Sequence, residues 1–207
     1  MNLDDTVRTY RNFSAAYDIV FGPITHPGRR AAVRMLNDRP SQRVLEVGVG
    51  TGLSLGYFRS DASVTGIDVS PDMLKKARKR MARLRLDNVE LMEMNAQAMH
   101  FADNSFDAVI GLYVASAVPD LRAFAAEVQR VCVPGGRIIL VNHFSSANPA
   151  MNYIERRLAP LASRIGFHAD FPLDDFVCNT GFQVREMHPS NLFGYWTLLR
   201  CTNAKGV

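Results

Sequence analysis

Residues 44–52 constrain the fold of this 207-residue chain more than any other stretch. Val44–Val47 is an apolar run of strand length. Gly48, Gly50 and Gly52 follow it at once, and a short helical signal comes next near Leu53–Phe58. A buried strand feeding a glycine loop and then a helix is the opening unit of a parallel α/β sheet. The alternation continues. Val64–Ile67 reads as a second strand, and Ser70-Pro71-Asp72 starts a helix, with Ser70 as its cap and Pro71 at the first helical position. Val89–Met92 is a third strand. Phe106–Leu112 is a fourth, introduced by the turn Ala102-Asp103-Asn104-Ser105. A helix at Leu121–Val131 is ended by Pro134-Gly135-Gly136, and Arg137–Asn142 is a fifth strand. Strands alternating with helices imply a sheet covered on both faces, a doubly wound α/β fold.

The tail breaks the alternation. Asn152–Ile165 is amphipathic and helical apart from Pro160, which should kink or break it. Phe182–Met187 and Trp196–Cys201 then look like an antiparallel pair of strands around a turn containing His188-Pro189-Ser190-Asn191. Ahead of the first strand, Leu3, Val7, Tyr10, Tyr17 and Phe21 recur at three- and four-residue steps, with Asp4, Asp5, Arg8, Arg11 and Asn12 off that face. This spacing predicts an amphipathic helix over residues 1–22, closed by Gly22-Pro23, whose apolar face covers the cleft, the domain body or a lipid surface. The length is that of about one domain. The expected organisation is a single domain over 1–207: the N-terminal helix at 1–22, a ligand-binding core at 43–143, and a substrate-side helix with closing strands at 144–207.

No apolar run approaches the roughly 18–20 residues of a membrane span. Asp4 and Asp5 precede any apolar stretch, which argues against a signal peptide. Cys132, Cys178 and Cys201 are widely spaced and odd in number, so they read as buried thiols in a reducing cytoplasm. The net charge of +4 permits an anionic partner. Its distribution is uneven: Lys75, Lys76, Arg78, Lys79, Arg80, Arg83 and Arg85 crowd one helix, and Arg29, Arg30 and Arg34 another. No aromatics interleave with the first cluster, which counts against single-stranded nucleic acid as a partner.

The strand ends carry the chemistry. Glycines at 48, 50 and 52 let the backbone turn sharply and approach a ligand closely. The spacing is GxGxG, not the GxGxxG of dinucleotide folds. Glu46, just before the loop, would repel a diphosphate but can receive the ammonium of a methionine moiety. Asp68 ends the second strand, where a carboxylate can accept both hydroxyls of a ribose. Val69 and Met73 are placed to flank an adenine with apolar and polarisable contacts. Asn95-Ala96 follows the third strand, and the Asn95 amide offers an acceptor to the adenine amino group and a donor to a ring nitrogen. Leu112 ends the fourth strand and completes the cofactor set.

The segments VLEVGVGTGLSL, GIDVSPDML, MNAQAM, NSFDAVI and VPGGRIILVNH, taken in order over roughly residues 43–143, resemble the successive motifs of class I S-adenosylmethionine-dependent methyltransferases. The resemblance implies a Rossmann-like sheet of seven strands with the last antiparallel, S-adenosyl-L-methionine as cofactor, S-adenosyl-L-homocysteine as product, and no metal. Asn95 departs from the pattern, since many members have Asp there. Tyr10-Arg11 and Tyr17-Asp18-Ile19-Val20-Phe21-Gly22-Pro23, combined with the Glu46–Gly52 loop, are similar to bacterial phosphatidylethanolamine N-methyltransferases of the Rhodobacter type; His143 after the fifth strand is similar as well. That likeness implies stepwise methylation of phosphatidylethanolamine toward phosphatidylcholine by a peripheral protein at the inner face of the cytoplasmic membrane. Ubiquinone and menaquinone C-methyltransferases share the core motifs and are the competing acceptor class.

Transfer to an amine is an in-line displacement for which the ammonium must first lose a proton. Tyr17, Tyr113 and His143 are the candidates for that base or for orienting the headgroup, and tyrosine rings also suit a methylated cation. The fourth strand ends Gly111-Leu112-Tyr113-Val114 and lacks the [DN]PP[YFW] signature of nucleic-acid adenine methylation. The absent signature leaves no nucleic acid expected as a partner; the resemblance implies a phospholipid, with an anionic membrane surface met by the N-terminal helix, and the chain is expected to be a monomer.

Overall fold

A computed structural model describes residues 22–145, 157, 172–191 and 195–205. Tyr17, the predicted helix over 1–22 up to Gly22, and the amphipathic stretch Asn152–Ile165 apart from Arg157 lie outside the described residues. Gly22 and Pro23 are themselves helical, within a helical stretch over residues 22–36 (α1).

The strands are β1 (Arg43–Val47), β2 (Ser63–Asp68), β3 (Val89–Glu93), β4 (Phe106–Leu112), β5 (Cys132–His143), β6 (Gln183–Ser190) and β7 (Trp196–Thr202). They form one sheet in the order β3-β2-β1-β4-β5-β7-β6. β1, β2, β3, β4 and β5 pair in parallel, and β7 runs antiparallel to both β5 and β6. The expected seven-stranded, mostly parallel sheet is present.

The helices are α2 (Pro71–Leu84), α3 (Leu121–Val131) and α4 (Leu173–Thr180). Ser70 caps α2 by accepting the Met73 N–H, with Pro71 at the first position, as the sequence predicts. Asp120 does the same for α3, accepting from Arg122 N and Ala123 N.

Period-two alternation along the strands divides the core. Val44, Ile110, Ile139, Val141 and Leu198 meet Ala32, Val33 and Leu36 of α1 and Leu74 of α2. Leu45, Val109, Ile138, Leu140 and Leu199 meet Phe124 and Val128 of α3 and Phe176 of α4. These two apolar clusters cover opposite faces of the sheet, and their burial removes the large hydrophobic surface that drives folding.

Four local expectations are corrected. The helix expected at Leu53–Phe58 is only a 3₁₀ turn, Leu55–Tyr57, with no side-chain cap. Pro134-Gly135-Gly136 does not separate helix from strand: β5 begins at Cys132, and its pairing with β4 jumps from Phe106↔Cys132 to Ala108↔Arg137. The Asn203 amide stabilises that irregularity by donating to the carbonyls of Gln129, Cys132 and Val133. His188, Pro189 and Ser190 belong to β6 rather than to a turn; at a sheet edge, proline's missing N–H costs no ladder bond. Finally, Cys132 and Cys201 are buried as expected, but Cys178 is exposed on α4.

Candidate active site

The strand order reverses between β1 and β4, and a cleft opens at their carboxyl ends, the place where open α/β sheets take their ligands. Its empty volume is about 1010 Å³ with the open mouth included, room for a nucleoside-sized ligand and more. Of the ten expected cofactor residues, Glu46, Gly48, Gly50, Asp68, Val69, Met73, Asn95, Ala96 and Leu112 line it. Gly52 does not. A Cβ there would sit 2.7 Å from Leu55 Cδ1 and 3.2 Å from Ala77 Cβ, so its role is to let the loop pack against α2.

The loop geometry follows from its glycines. Gly48 has φ +69° and a Cβ on it would come within 2.6 Å of Val114 Cγ2, so no other residue fits. The Gly48 and Val49 N–H groups donate to Ile67 O of β2 at 2.9 and 3.0 Å, which ties the loop to the neighbouring strand. Gly50 N–H donates to Asp68 Oδ2 at 2.8 Å, and Ser70 N–H to Asp68 Oδ1 at 2.9 Å. Each Asp68 oxygen keeps acceptor capacity. Burial holds the Asp68 carboxyl above its ordinary value against these hydrogen bonds. Asn95 Oδ1 accepts from Gln97 N–H at 2.9 Å, closing its own turn and fixing which way the amide points.

Glu46 is the most constrained ionisable group in the cleft. It is 1% exposed. Its Oε1 accepts from Ser54 Oγ at 2.5 Å, and its Oε2 is buried without a hydrogen-bond partner among the described residues. Burial pushes its pKa up to about 7, with Asp68 adding to the rise, while the Ser54 hydrogen bond and the positive charge of Arg29 oppose it. A buried, unpaired carboxylate oxygen facing a cleft is costly unless a cationic donor meets it there.

Arg29 is the residue that sequence reading misses. It is counted there only among three bases crowding one helix, yet it is 7% exposed and lines the cleft. The signal exists: Gly22, Thr25, Gly28, Arg29, Ala32, Val33 and Leu36 are the buried positions of α1, at helical spacing, whereas Arg30 and Arg34 fall off that stripe and are exposed. Arg29 donates to Thr25 Oγ1, and its guanidinium stands 5.1 Å from the centroid of the Tyr113 ring. Ser54 and its bond to Glu46 are missed too, since nothing in the sequence links two positions eight apart across a loop.

Tyr113 is at the cleft, as expected. Its backbone is left-handed (φ +64°), an unfavourable state for a non-glycine residue that clusters at functional sites. Its hydroxyl donates to Thr25 O at 2.8 Å and accepts from Asn191 Nδ2 at 2.7 Å, while Asn191 Oδ1 accepts Gly28 N–H at 2.7 Å. The phenol therefore ties α1 to the β6–β7 connection. His143 is not brought to the cleft. It is 1% exposed, its ring stacks on Tyr195 at 4.0 Å, and Nδ1 lies 2.8 Å from Tyr195 O.

A switch-point cleft with a GxGxG loop, an acid before the loop and a second acid ending the next strand defines a methyltransferase of the S-adenosylmethionine-dependent, class I type. Residues 45–140 match the methyltransferase domain family. The chain is 37% identical over 201 residues to the phosphatidylethanolamine N-methyltransferase of Cereibacter sphaeroides, covering 97% of this chain and 98% of that one. It is 40% identical over 113 residues to a demethylmenaquinone methyltransferase of Tropheryma whipplei, covering 54% of this chain and 46% of that one. Among solved structures, it is similar to a SAM-dependent methyltransferase from Aquifex aeolicus (TM-score 0.65, 18% identity, 86% of this chain and 91% of that one). It is also similar to geranyl diphosphate C-methyltransferase from Streptomyces coelicolor, solved with S-adenosyl-L-homocysteine (TM-score 0.71, 14% identity, 85% and 78%). The chain belongs to the class I S-adenosylmethionine-dependent methyltransferases, in the family that contains the phosphatidylethanolamine N-methyltransferase of C. sphaeroides.

Proposed function

We propose that the chain transfers methyl groups from S-adenosylmethionine to the amine of phosphatidylethanolamine, stepwise toward phosphatidylcholine. The observation that supports this acceptor is the extent of the likeness. The similarity to the C. sphaeroides enzyme runs through 97% of the chain, including the segments on either side of the shared core, whereas the likeness to the quinone methyltransferase spans 54%. Acceptor choice resides in those flanking segments, because the core is what the two families hold in common.

The cleft's residues fit the cofactor. Glu46 Oε2 would receive the methionine ammonium, and Arg29, the cation beside it, the carboxylate on the same carbon. Asp68 would hold the ribose hydroxyls. Val69, Met73, Ala96 and Leu112 would enclose the adenine, with Asn95 at its edge. The sulfonium supplies a reactive methyl and its own leaving group. What the chain does is hold the amine in line with that methyl and keep water from competing.

Tyr113 orients the headgroup region, and the ammonium proton leaves through water. The Tyr113 hydroxyl is engaged with Thr25 O, and His143 does not line the cleft, so neither is placed to accept the proton directly. The part proposed for Tyr17 rests on its sequence position alone. Association with the membrane is peripheral, from the cytoplasmic side; no helix among the described residues is long and apolar enough to cross a bilayer.

The test is mass spectrometry of lipid after incubation of the purified protein with S-adenosylmethionine and vesicles containing phosphatidylethanolamine. Monomethyl, dimethyl and trimethyl headgroups appearing in that order support the reading. An unaltered ethanolamine headgroup counters it.

A further inference from the structure

The two helical layers differ in charge. On the α1/α2 side, Arg30 and Arg34 of α1 and Lys75, Arg78, Lys79 and Arg83 of α2 are all exposed. Among the described residues none of the six has an ion pair, and the only hydrogen bond from these side chains is a long one, Arg78 to Leu91 O at 3.5 Å. Arg85 follows, exposed in the left-handed C-cap of α2. Among the described residues the acids of this layer do not neutralise them: Asp38 and Asp61 are paired to Arg137 and Arg59, leaving Asp72 in the first turn of α2. Asp87, Glu90 and Glu93 border the face at the β3 edge. Among the described residues the opposite layer has the other sign. α4 presents Asp174 and Asp175 with no base, and Arg130 of α3 is bound to Glu127 and Asp103.

An apolar contact sits within the basic face. Leu84, at the end of α2 between Arg83 and Arg85, is 44% exposed, one of two large hydrophobic side chains left in solvent among the described residues. The face also runs beside the site. Met73 in the first turn of α2 lines the cleft, Arg80 one face over donates to Thr51 O of the glycine loop at 2.9 Å, and the helix spans about 21 Å from there.

We infer that the outer face of α2, extended by Arg30 and Arg34 of α1, is a docking surface for an anionic lipid bilayer. Its choice of partner rests on the proposed phospholipid acceptor. Basic side chains free of ion pairs, spread along one helix around a protruding leucine, match an anionic headgroup layer, where each charge adds attraction and the leucine adds buried area. The absence of aromatics among these bases disfavours nucleic acid as the occupant. The attraction orients the molecule with its α1/α2 layer toward the membrane and the acidic α3/α4 layer away from it.

Vesicle flotation of the full chain tests this, without cofactor and with vesicles of phosphatidylcholine and phosphatidylglycerol that contain no ethanolamine lipid, so that binding is read independently of the acceptor. Wild type should float with the anionic vesicles and not with pure phosphatidylcholine. The triple variant Lys75→Gln/Lys79→Gln/Arg83→Gln should lose on the order of 100-fold in partitioning, from three surface charges removed. Arg122→Gln/Arg185→Gln, which removes charge from other surfaces, should float as wild type does. Unchanged calorimetric binding of S-adenosylhomocysteine shows that the triple variant is folded, and Leu84→Ser should weaken flotation without altering charge. Equal flotation of the triple variant and wild type overturns the inference, as does failure of wild type to bind anionic vesicles or its preference for RNA over them. If flotation behaves as described but no headgroup is methylated, it is the acceptor reading that fails.

Discussion

Glu46 links cofactor recognition to stability at the scale of one residue. Its pKa is about 7 in the folded protein against an ordinary 4.5. The folded state therefore holds a proton between those values that the unfolded chain has released. Stability from this group is full below pH 4.5 and is lost as pH rises through about 7, a total on the order of 3 kcal/mol. Cofactor binding runs the other way, because an ammonium needs the carboxylate. Affinity for S-adenosylhomocysteine should therefore fall as pH drops below about 7. Glu46→Gln should raise the unfolding temperature of the free protein at pH 8 while weakening cofactor binding. Scanning calorimetry and titration on one preparation check both, and a variant that is both less stable and normal in affinity would contradict the role. Arg29→Ala should lose about 1.5–3 kcal/mol of affinity for S-adenosylhomocysteine, the usual worth of a charged hydrogen bond. It should lose little for the analogue lacking the carboxylate. An equal loss for both ligands would mean that Arg29 acts only by holding Tyr113.

At the scale of elements, what the sequence discloses depends on whether a local pattern or a distant contact decides the outcome. The strand ends Glu46, Asp68 and Asn95 are legible because apolar runs followed by glycine or capping residues mark them, and the cleft collects them as expected. α1 is legible in part: Arg29, Arg30 and Arg34 are read on a helix, but Gly22-Pro23 reads locally as a stop although both residues belong to the helical stretch 22–36, which packs against the sheet. The burial of Arg29 and His143 is likewise a tertiary matter, set by which face of α1 and which register of β5 meet the core. The PGG motif misleads for the same reason, since Asn203, some seventy residues on, provides the donors that hold its neighbours in the sheet. Asn203→Ala should leave those buried carbonyls short of a donor and cost about 1–3 kcal/mol, read by urea unfolding. Arg137 anchors α1 in a related way, donating to Met35 O at 2.8 Å and Leu36 O at 3.3 Å, a cation on the last carbonyls of the helix. Arg137→Ala should therefore destabilise the protein by a similar amount and speed proteolysis within residues 22–36. If the cleavage pattern is unchanged, α1 is held by its apolar face alone.

For the whole molecule, the sheet order and the cleft at its switch point belong to a methyltransferase, and the end-to-end likeness to a phosphatidylethanolamine N-methyltransferase supports the proposal that the acceptor is a lipid amine. The competing quinone acceptor presents a ring carbon as nucleophile rather than an amine. A competition assay separates the two most directly. Vesicles carrying equal amounts of phosphatidylethanolamine and demethylmenaquinone are incubated with methyl-labelled S-adenosylmethionine and limiting enzyme, and the extracted lipids are resolved by chromatography. The account predicts label in N-methylated phosphatidylethanolamine, appearing first as the monomethyl species, with none in the quinone. Label recovered in menaquinone, with the ethanolamine headgroup unlabelled, would contradict it.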